Sequence, residues 1–334
     1  MDECAGQVYH ASATSNLAAV DPLDGRTRHY RDFYSPPAGG SDSPLWLVVG
    51  NCQAEALRRV LDTVPGRPYR TARIPPVHEL TARDLPYLDA LLARTSVLLS
   101  QPIRPDYRDL PLGTDQLVDR LAPGAMCIRW PVIRYAGLYP FQAIVRRPAD
   151  RSLNPPVVPY HDLRTVSAAR AGRSPEDPWN VDVSAGQISA VAALSRDELA
   201  RREDRDCDVG VADLLPTFGA DAAHTVNHPG NPLLEALAQR ILDRLDVPLA
   251  VAAVDAVLLS AVTAPLEARV LEALGLAGTA RPDWRCDGRT VSAQEVHAAQ
   301  LQWYRSNPDF VDLAEERHGI VMELLGLLSR SGRS

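Results

Sequence analysis

The chain has 334 residues, enough to bury a large core in one big or two modest domains, and its composition is ordinary for a globular protein. Its formal net charge is -7 and it has no run of like charges, which argues against a nucleic-acid partner. All 35 basic residues are arginine, which excludes phosphate-loop binding and Schiff-base catalysis and leaves any phosphate-bearing ligand to arginine, backbone N–H groups and helix termini.

Residues 1–44 are rich in Ser, Asp, Pro and Gly, and we expect them to form an irregular N-terminal arm on the surface of the main body. Tyr30, Phe33 and Tyr34 would anchor this arm. Its acidic start is not typical of a secretory signal peptide. The five cysteines are scattered and include no Cys-x-x-Cys pair, which indicates neither a disulfide framework nor a zinc site. We therefore expect a cytoplasmic protein.

The stretch Leu45–Leu57 carries the clearest local pattern. Its first five residues form an apolar run that is typical of a buried strand in a parallel sheet, and Gly50-Asn51 separates this run from a helix that begins at about Cys52. This arrangement would place the Cys52 sulfur at the carboxyl end of the sheet, where open α/β sheets bind ligands. The start of the helix would favour the thiolate, as in a nucleophile elbow with sulfur in place of oxygen. A buried structural cysteine fits the local pattern equally well.

Three further strands and the helices between them predict the fold class. The strands are Tyr69–Ile74, Ser96–Ser100 and Ala125–Ile128, and helices capped by Thr81 and Thr114 separate them. This alternation predicts an α/β fold in which a parallel sheet lies between two layers of helices. Right-handed crossovers would place every strand-to-helix loop at one edge of the sheet.

The loop after the third strand, Gln101–Arg108, would therefore lie near Cys52. It is polar, long and rich in arginine. A ligand-binding loop and a solvated connection are both compatible with this composition.

The second half of the chain is predicted to be mostly helical. Asn231 followed by Pro232 is a strong helix start, and a capping box begins at Ser292. The other predicted helices are Ser184–Glu203, Pro265–Leu274 and Phe310–Leu328. The longest apolar stretch, residues 247–259, is too short to span a membrane. We therefore expect an α/β domain over residues 45–165 and a mostly helical region over residues 166–334 that covers the loop edge of the sheet.

A cysteine nucleophile needs a base, and the candidate bases are His228, His224 and His161. The first two lie on the predicted loop that enters the helix at Asn231, where a capping or turn role is the alternative for His228. Their spacing of four would suit a helical zinc site. Pro229-Gly230 argues against a helix through both residues, and we expect no metal.

Two amide side chains flank the sulfur. Asn51 and Gln53 could form an oxyanion hole together with the N–H groups at the start of the helix. Hydrogen bonding within the turn is the alternative role for both residues.

Several motifs together resemble the WcbI-type polysaccharide-biosynthesis family of acetyltransferases. Three of them are Val48-Val-Gly-Asn-Cys-Gln-Ala-Glu-Ala-Leu57, Gln101-Pro-Ile-Arg-x-Asp-Tyr-Arg108 and His224-Thr-Val-Asn-His-Pro-Gly-Asn231. Weaker similarity occurs at Tyr160-His-Asp162, Trp284-Arg-Cys-Asp-Gly288 and Gln300-Leu-Gln-Trp-Tyr304. The resemblance extends from Leu45 to about His318, and it depends on the order and combination of the motifs.

The resemblance implies a three-layer core of the SGNH/GDSL or flavodoxin-like type that binds coenzyme A and transfers an acyl group, commonly acetyl, to a sugar hydroxyl. Carried over by position, Cys52 falls where the SGNH serine would lie, and His228 falls where the late-chain catalytic histidine is expected. Thr225 stands where that superfamily usually has Asp. The group that orients the imidazole would then be Asp162 or a backbone carbonyl.

The leading hypothesis is a coenzyme-A-dependent acyltransferase that acts on a hydroxyl or amine of a sugar or natural product. Cys52 would be the nucleophile or line the thioester, and His228 would accept the proton of the thiol or of the acceptor. Asn51 and Gln53 would stabilise the oxyanion, with Gln101 as a further donor.

The loop at Gln101–Arg108 would bind the cofactor. Arg104 and Arg108 would contact its pyrophosphate or ribose phosphate through their planar guanidinium groups. Gln101 and Tyr107 complete the predicted cofactor-binding set. The residues that stay candidates for an orienting group or a second base are His161, Asp162 and His224.

Two other functions fit the same sequence. A cysteine hydrolase or thioesterase would use the same cleft, with water in place of the acceptor. A ligand-binding protein would give Cys52 no chemical role. In each case the partners are small molecules, and an oligomer is compatible with the sequence.

Overall fold

A four-stranded parallel sheet lies at the centre of the fold. In the computed structural model, which describes residues 25–35 and 43–328, its strands are β1 (Leu45–Val49), β2 (Arg70–Thr71), β3 (Thr95–Ser100) and β4 (Met126–Arg129). Their order across the sheet is β2-β1-β3-β4, and every neighbouring pair is parallel. The predicted α/β fold is confirmed.

Helices alternate with these strands and dominate the rest of the described chain. They are α1 (Gly25–His29), α2 (Arg31–Tyr34), α3 (Cys52–Leu61), α4 (Leu85–Leu92), α5 (Thr114–Val118), α6 (Leu163–Arg170), α7 (Ala185–Asp206), α8 (Leu215–Phe218), α9 (Asn231–Arg244), α10 (Ala268–Leu274), α11 (Ala293–Ser306) and α12 (Asp309–Leu324). Short antiparallel strands complete the fold: β5 (Gln142–Ala143) with β6 (His161–Asp162), β7 (Ala223–Thr225) with β8 (His228–Pro229), and β9 (Val262–Thr263) with β10 (Trp284–Cys286) and β11 (Arg289–Val291).

The side chains of β1 alternate between two hydrophobic cores, one on each face of the sheet. Trp46 and Val48 pack in a core that also contains residues of α3 and α9. Leu45, Leu47 and Val49 pack in a second core with residues of α2 and α4. Because both faces are covered, all five residues are apolar and buried.

The described part of the N-terminal arm, residues 25–35, forms α1 and α2 rather than irregular chain. Phe33 is fully buried in the second core. The Tyr34 hydroxyl donates a hydrogen bond to Asp84 at 2.7 Å. Residues 1–24 and 36–42 of the predicted arm lie outside the described residues.

Several predicted element ends are displaced. The second strand is only two residues long, and the helix predicted from Pro265 begins at Ala268. Thr114 lies inside α5, because its hydroxyl donates to the Gln101 carbonyl at 2.8 Å while the backbone of Gly113 caps the helix. Asn231 is the first residue of α9 rather than its cap, and its side chain hydrogen-bonds the backbone of residues 256 and 258.

Candidate active site

Cys52 is the first residue of α3, directly after the two-residue turn that ends β1. Asn51 caps the helix, since its side-chain oxygen accepts the Gln53 N–H at 2.9 Å. The Gln101 side chain lies so close to Gly50 that a larger residue would not fit, since a Cβ there would lie 2.6 Å from Oε1 of Gln101. The half-buried Cys52 therefore stands at the carboxyl end of the central strand, as the sequence predicts.

Burial raises the pKa of the Cys52 thiol, and the backbone N–H groups of Cys52 and Gln53 oppose this effect. The start of the helix thus acts in the expected direction. Its contribution is smaller than the cost of desolvating a thiolate, so the resting group is a thiol at neutral pH.

Gln53 connects the start of α3 to two distant segments. It is fully buried, and its Nε2 donates to the backbone carbonyls of Ile133 at 2.8 Å and Asn227 at 2.7 Å. Its Oε1 accepts from the Ile133 N–H at 3.0 Å and from Nε2 of Gln101 at 3.1 Å. Both side-chain donor hydrogens are used in these bonds. The role of Gln53 in the apo protein is therefore to hold chain segments together.

Gln101 is also engaged. Its Oε1 accepts the Asn51 N–H at 2.9 Å, and its Nε2 contacts Gln53 and the Pro131 carbonyl. In the part of the chain that the structure describes, Nδ2 of Asn51 donates no hydrogen bond. Of the three amides predicted to stabilise an oxyanion, Asn51 is the one with a free donor.

The segment with His224 and His228 is a short β-hairpin, whereas the sequence predicted a loop that enters the helix at Asn231. Strands β7 and β8 pair, with Thr225 opposite His228. The pairing places the half-buried His228 on a strand, at a position where Pro229 prevents a helix.

Tyr160, which the sequence analysis named only within a motif, lies against this hairpin. Its hydroxyl is 2.9 Å from Oδ1 of Asn227, 3.1 Å from Oγ1 of Thr225 and 3.5 Å from Nδ1 of His228. The signal that could have identified it is its position next to His161, in one of the motifs that carry the resemblance stated above.

His228 is half-buried and its pKa is lowered to about 4. Burial is the main cause and the neighbouring His224 adds to it, while a hydrogen bond with the backbone of Val262 opposes the lowering. The imidazole is therefore neutral at neutral pH. Of the two orienting groups considered from the sequence, the Val262 backbone is the one in contact with it.

The two candidate catalytic residues belong to elements that touch. Gln53 follows Cys52, Asn227 precedes His228, and Gln53 donates to the Asn227 carbonyl at 2.7 Å. A charge on Cys52 raises the pKa of Tyr160, which in turn contacts the His228 ring. Among the described residues no hydrogen bond joins Cys52 directly to His228.

His161 and Asp162 are occupied elsewhere. Nδ1 of His161 is 2.5 Å from the Tyr304 hydroxyl, its ring stacks on Phe310, and burial lowers its pKa to about 3. Asp162 caps α6 and forms an ion pair with Arg164 at 2.6 Å. The structure does not bring either residue to His228.

His224 lies on the same hairpin as His228. Burial and the nearby Arg281 lower the pKa of His224. Because His224 also lowers the pKa of His228, it influences that residue electrostatically.

The predicted cofactor loop lies at the same edge of the sheet as Cys52. Arg104 and Arg108 are exposed, and Nη1 of Arg108 donates to the His78 carbonyl at 2.7 Å. Tyr107 packs against the second core. Asp106 and Arg108 have positive φ angles of 50° and 56°, which keeps the loop tightly turned.

Tyr160 is one of the residues that line a cavity of about 540 Å³, whereas Cys52 and His228 are not among them. Aromatic and aliphatic side chains line much of it, among them Phe141, Trp179 and Trp284. Trp284 stacks on Tyr160 with ring centroids 5.9 Å apart. The polar wall of the cavity contains Arg164, which forms ion pairs with Asp162 and Glu267.

The described ranges 25–35 and 43–328 contain no group of three potential metal ligands, and their four cysteines are unpaired. None of their helices has both the length and the apolar character needed to cross a membrane.

Comparison with known proteins gives two matches. The family model described as "Polysaccharide biosynthesis enzyme WcbI" matches residues 45–250. A solved structure of WcbI, described as a novel polysaccharide biosynthesis enzyme, aligns with a TM-score of 0.72 and 16% sequence identity, covering 86% of this chain and 99% of that chain. It is described as the native protein without a disulfide bond between coenzyme A and one of its cysteines. No curated protein matches this chain.

Proposed function

Because the chain belongs to the WcbI family of polysaccharide biosynthesis enzymes, we propose that it is a coenzyme-A-dependent acyltransferase that acts on a sugar or natural-product hydroxyl or amine. The observation that carries this proposal is the hydrogen bond between Gln53 and the Asn227 carbonyl, which joins the element of Cys52 to that of His228. The description of the similar WcbI structure, which names coenzyme A and a cysteine, supports the choice of acyl donor.

In the proposed first half-reaction, neutral His228 accepts the proton of the Cys52 thiol as the sulfur attacks the carbonyl carbon of the thioester. The carbon–sulfur bond to coenzyme A breaks, and the imidazolium returns its proton to the departing thiolate. The acyl group is then on Cys52. Since burial disfavours a free thiolate and the imidazole is neutral, proton transfer would accompany attack rather than precede it.

In the second half-reaction His228 accepts the proton of the acceptor hydroxyl or amine as that group attacks the acyl carbon. The Cys52 thiolate leaves and recovers the proton from the imidazolium. In both steps the oxyanion would be stabilised by the Cys52 backbone N–H and by the free Nδ2 of Asn51. Gln53 and Gln101 would hold these groups in position through the bonds already described.

The acceptor would approach through the cavity next to Tyr160. Its volume of about 540 Å³ is within the usual range for small-molecule sites, and its aromatic side chains suit the apolar faces of a sugar ring. Tyr160 lines this cavity, and its hydroxyl contacts Nδ1 of His228.

The test is transfer of the acetyl group from acetyl-CoA to a panel of sugars. Release of free thiol measures the reaction, and mass spectrometry of the protein detects an acetyl adduct. We expect thiol release that depends on an acceptor, and an acetyl adduct on Cys52 when the acceptor is withheld. C52A should abolish the adduct. C127A is the matched control, since Cys127 is also half-buried with a raised pKa but lies on β4.

Two outcomes would contradict the proposal. Full transfer by C52A would remove Cys52 from the chemistry. Thiol release at the same rate with and without every acceptor would indicate the thioesterase instead.

A further inference from the structure

Three arginines near the candidate site lack an acidic partner. In the described parts of the chain, the ion pairs do not include Arg134, Arg146 or Arg202. Glu198 and Glu203 raise the pKa of Arg202 from a distance, whereas Arg134 and Arg146 have no acidic neighbour that affects them. Arg134 is exposed and Arg146 and Arg202 are half-buried, so each charge is at least partly accessible to an anion.

Arg134 lies between the two candidate catalytic elements. The preceding residue, Ile133, makes two hydrogen bonds with the Gln53 side chain. Its carbonyl accepts from Nε2 at 2.8 Å, and its N–H donates to Oε1 at 3.0 Å. The following residue, Tyr135, donates its backbone N–H to the Val226 carbonyl of the histidine hairpin at 2.8 Å. The backbone of Arg134 is therefore one residue from contacts with both elements.

The other two arginines converge on the same place. Nη1 of Arg202 donates to the carbonyl of Val132 at 3.1 Å, two residues before Arg134. Arg146 lies close enough to Tyr160 to lower its pKa, and Nη1 of Arg146 donates to Asn154 at 2.5 Å. Arg202 therefore lies beside the segment of Arg134, and Arg146 lies near Tyr160.

The charges of Arg134, Arg146 and Arg202 are close enough to interact. Desolvation and the charges of Arg202 and Arg146 lower the pKa of the exposed Arg134. Like charges that lie close together create an attractive potential for anions.

We propose that Arg134, Arg146 and Arg202 bind a phosphate or pyrophosphate group of a substrate whose reacting end lies at Cys52. The proposal rests on the proposed function, because it assigns the charged end of a substrate of that site. Arginine binds phosphate through parallel N–H donors, and this chain has no lysine for the purpose. The competing assignment is the one predicted from the sequence, in which the exposed Arg104 and Arg108 contact the phosphates of coenzyme A. The phosphate could belong to the acyl donor or to a nucleotide-linked acceptor.

Calorimetric titration of the full-length chain tests the assignment with coenzyme A, dephospho-coenzyme A, pantetheine and UDP-glucose as probes. We expect R134A and R146A to weaken binding of a phosphate-bearing probe by tenfold to a hundredfold and to leave pantetheine, which has no phosphate, unchanged. R134K should restore part of the affinity. R244A is the matched control, because exposed Arg244 lies at the far end of α9, roughly 20 Å from its start.

The pattern of losses identifies the source of the phosphate. Weaker coenzyme A binding indicates the donor, and an equal loss for dephospho-coenzyme A selects its pyrophosphate. A loss confined to UDP-glucose indicates the acceptor. If R134A and R146A bind every probe as the wild type does, the proposal is overturned. A wild-type protein that binds UDP-glucose through Arg134 but not coenzyme A would contradict the proposed function alone.

Discussion

Replacement of Gln53 by alanine tests whether one buried amide holds the candidate site together. The substitution removes four hydrogen bonds: two to Ile133 and one each to Asn227 and Gln101. At about 1 kcal/mol for each bond, we expect the free energy of unfolding to fall by about 3–5 kcal/mol, because no solvent reaches the position to replace them. This is a large share of a typical total stability of about 5–15 kcal/mol.

Urea unfolding of Q53A and Q53E measures this loss. Q53E keeps the volume of the side chain but cannot donate to two carbonyls when ionised, so it should be destabilised as well. Q239A is the matched control. Gln239 also bonds Asp243 and the backbone of residues 249 and 251, but it is partly exposed, and we expect its loss to cost less than about 1.5 kcal/mol.

The same variants report on function. If Gln53 aligns the two elements, Q53A should lose acyl transfer under conditions where it is still folded, whereas Q239A should keep it. A Q53A protein within about 1 kcal/mol of the wild type, or one no less stable than Q239A, would refute the reasoning.

Three further predictions concern the titration and the contacts of the site. Burial raises the pKa of Cys52, and His228 is neutral at neutral pH. The rate of iodoacetamide alkylation of Cys52 should therefore increase steadily above pH 8. A plateau of this rate between pH 5 and 7 would instead indicate a preformed thiolate–imidazolium pair. Y160F removes the hydroxyl that contacts His228. In steady-state kinetics it should lower kcat by about tenfold, and titration should show little change in coenzyme A affinity. An unchanged kcat would exclude a positioning role for Tyr160. His161 has a folded pKa of about 3, below its unfolded value, so its contribution to stability is present above pH 6.5 and is lost as the pH falls towards 3. H161F combined with Y304F removes both members of the bonded pair and should flatten the decline of the urea midpoint between pH 7 and 4, and an unchanged decline would show that other groups cause it.

The sequence predicted the features that depend on local pattern. The five apolar residues of β1 and the break at Gly50-Asn51 sufficed to locate the start of α3, because a strand buried on both faces has no polar positions. The hairpin around His228 was not predicted. Two very short strands joined by a tight turn carry no periodic signal, and Pro229 was interpreted as a breaker only.

Long-range partners were beyond local pattern. Gln53 and Asn227 are 174 residues apart, and nothing in either neighbourhood identifies the other. Asp162 was a reasonable candidate to orient the imidazole, since it is acidic and follows a histidine. Its carboxylate is instead held by Arg164, two residues further along the same helix start, a contact that spacing alone does not distinguish from a catalytic one.

The neutral state of the cysteine and histidine changes how a slow reaction of Cys52 with alkylating agents should be interpreted. From the sequence, slow alkylation would favour a protein in which Cys52 has no chemical role. In the structure, burial raises the pKa of the Cys52 thiol, so we expect slow alkylation near neutral pH whether or not the residue is catalytic. The informative comparison is therefore the same alkylation with and without bound coenzyme A. If Arg134, Arg146 and Arg202 hold the phosphates of coenzyme A, its pantetheine arm can reach the Cys52 sulfur. Bound coenzyme A should then protect Cys52 from alkylation in the wild type. At the same concentration it should fail to protect Cys52 in R134A. Equal protection in both proteins would show that the ligand reaches Cys52 without the help of Arg134.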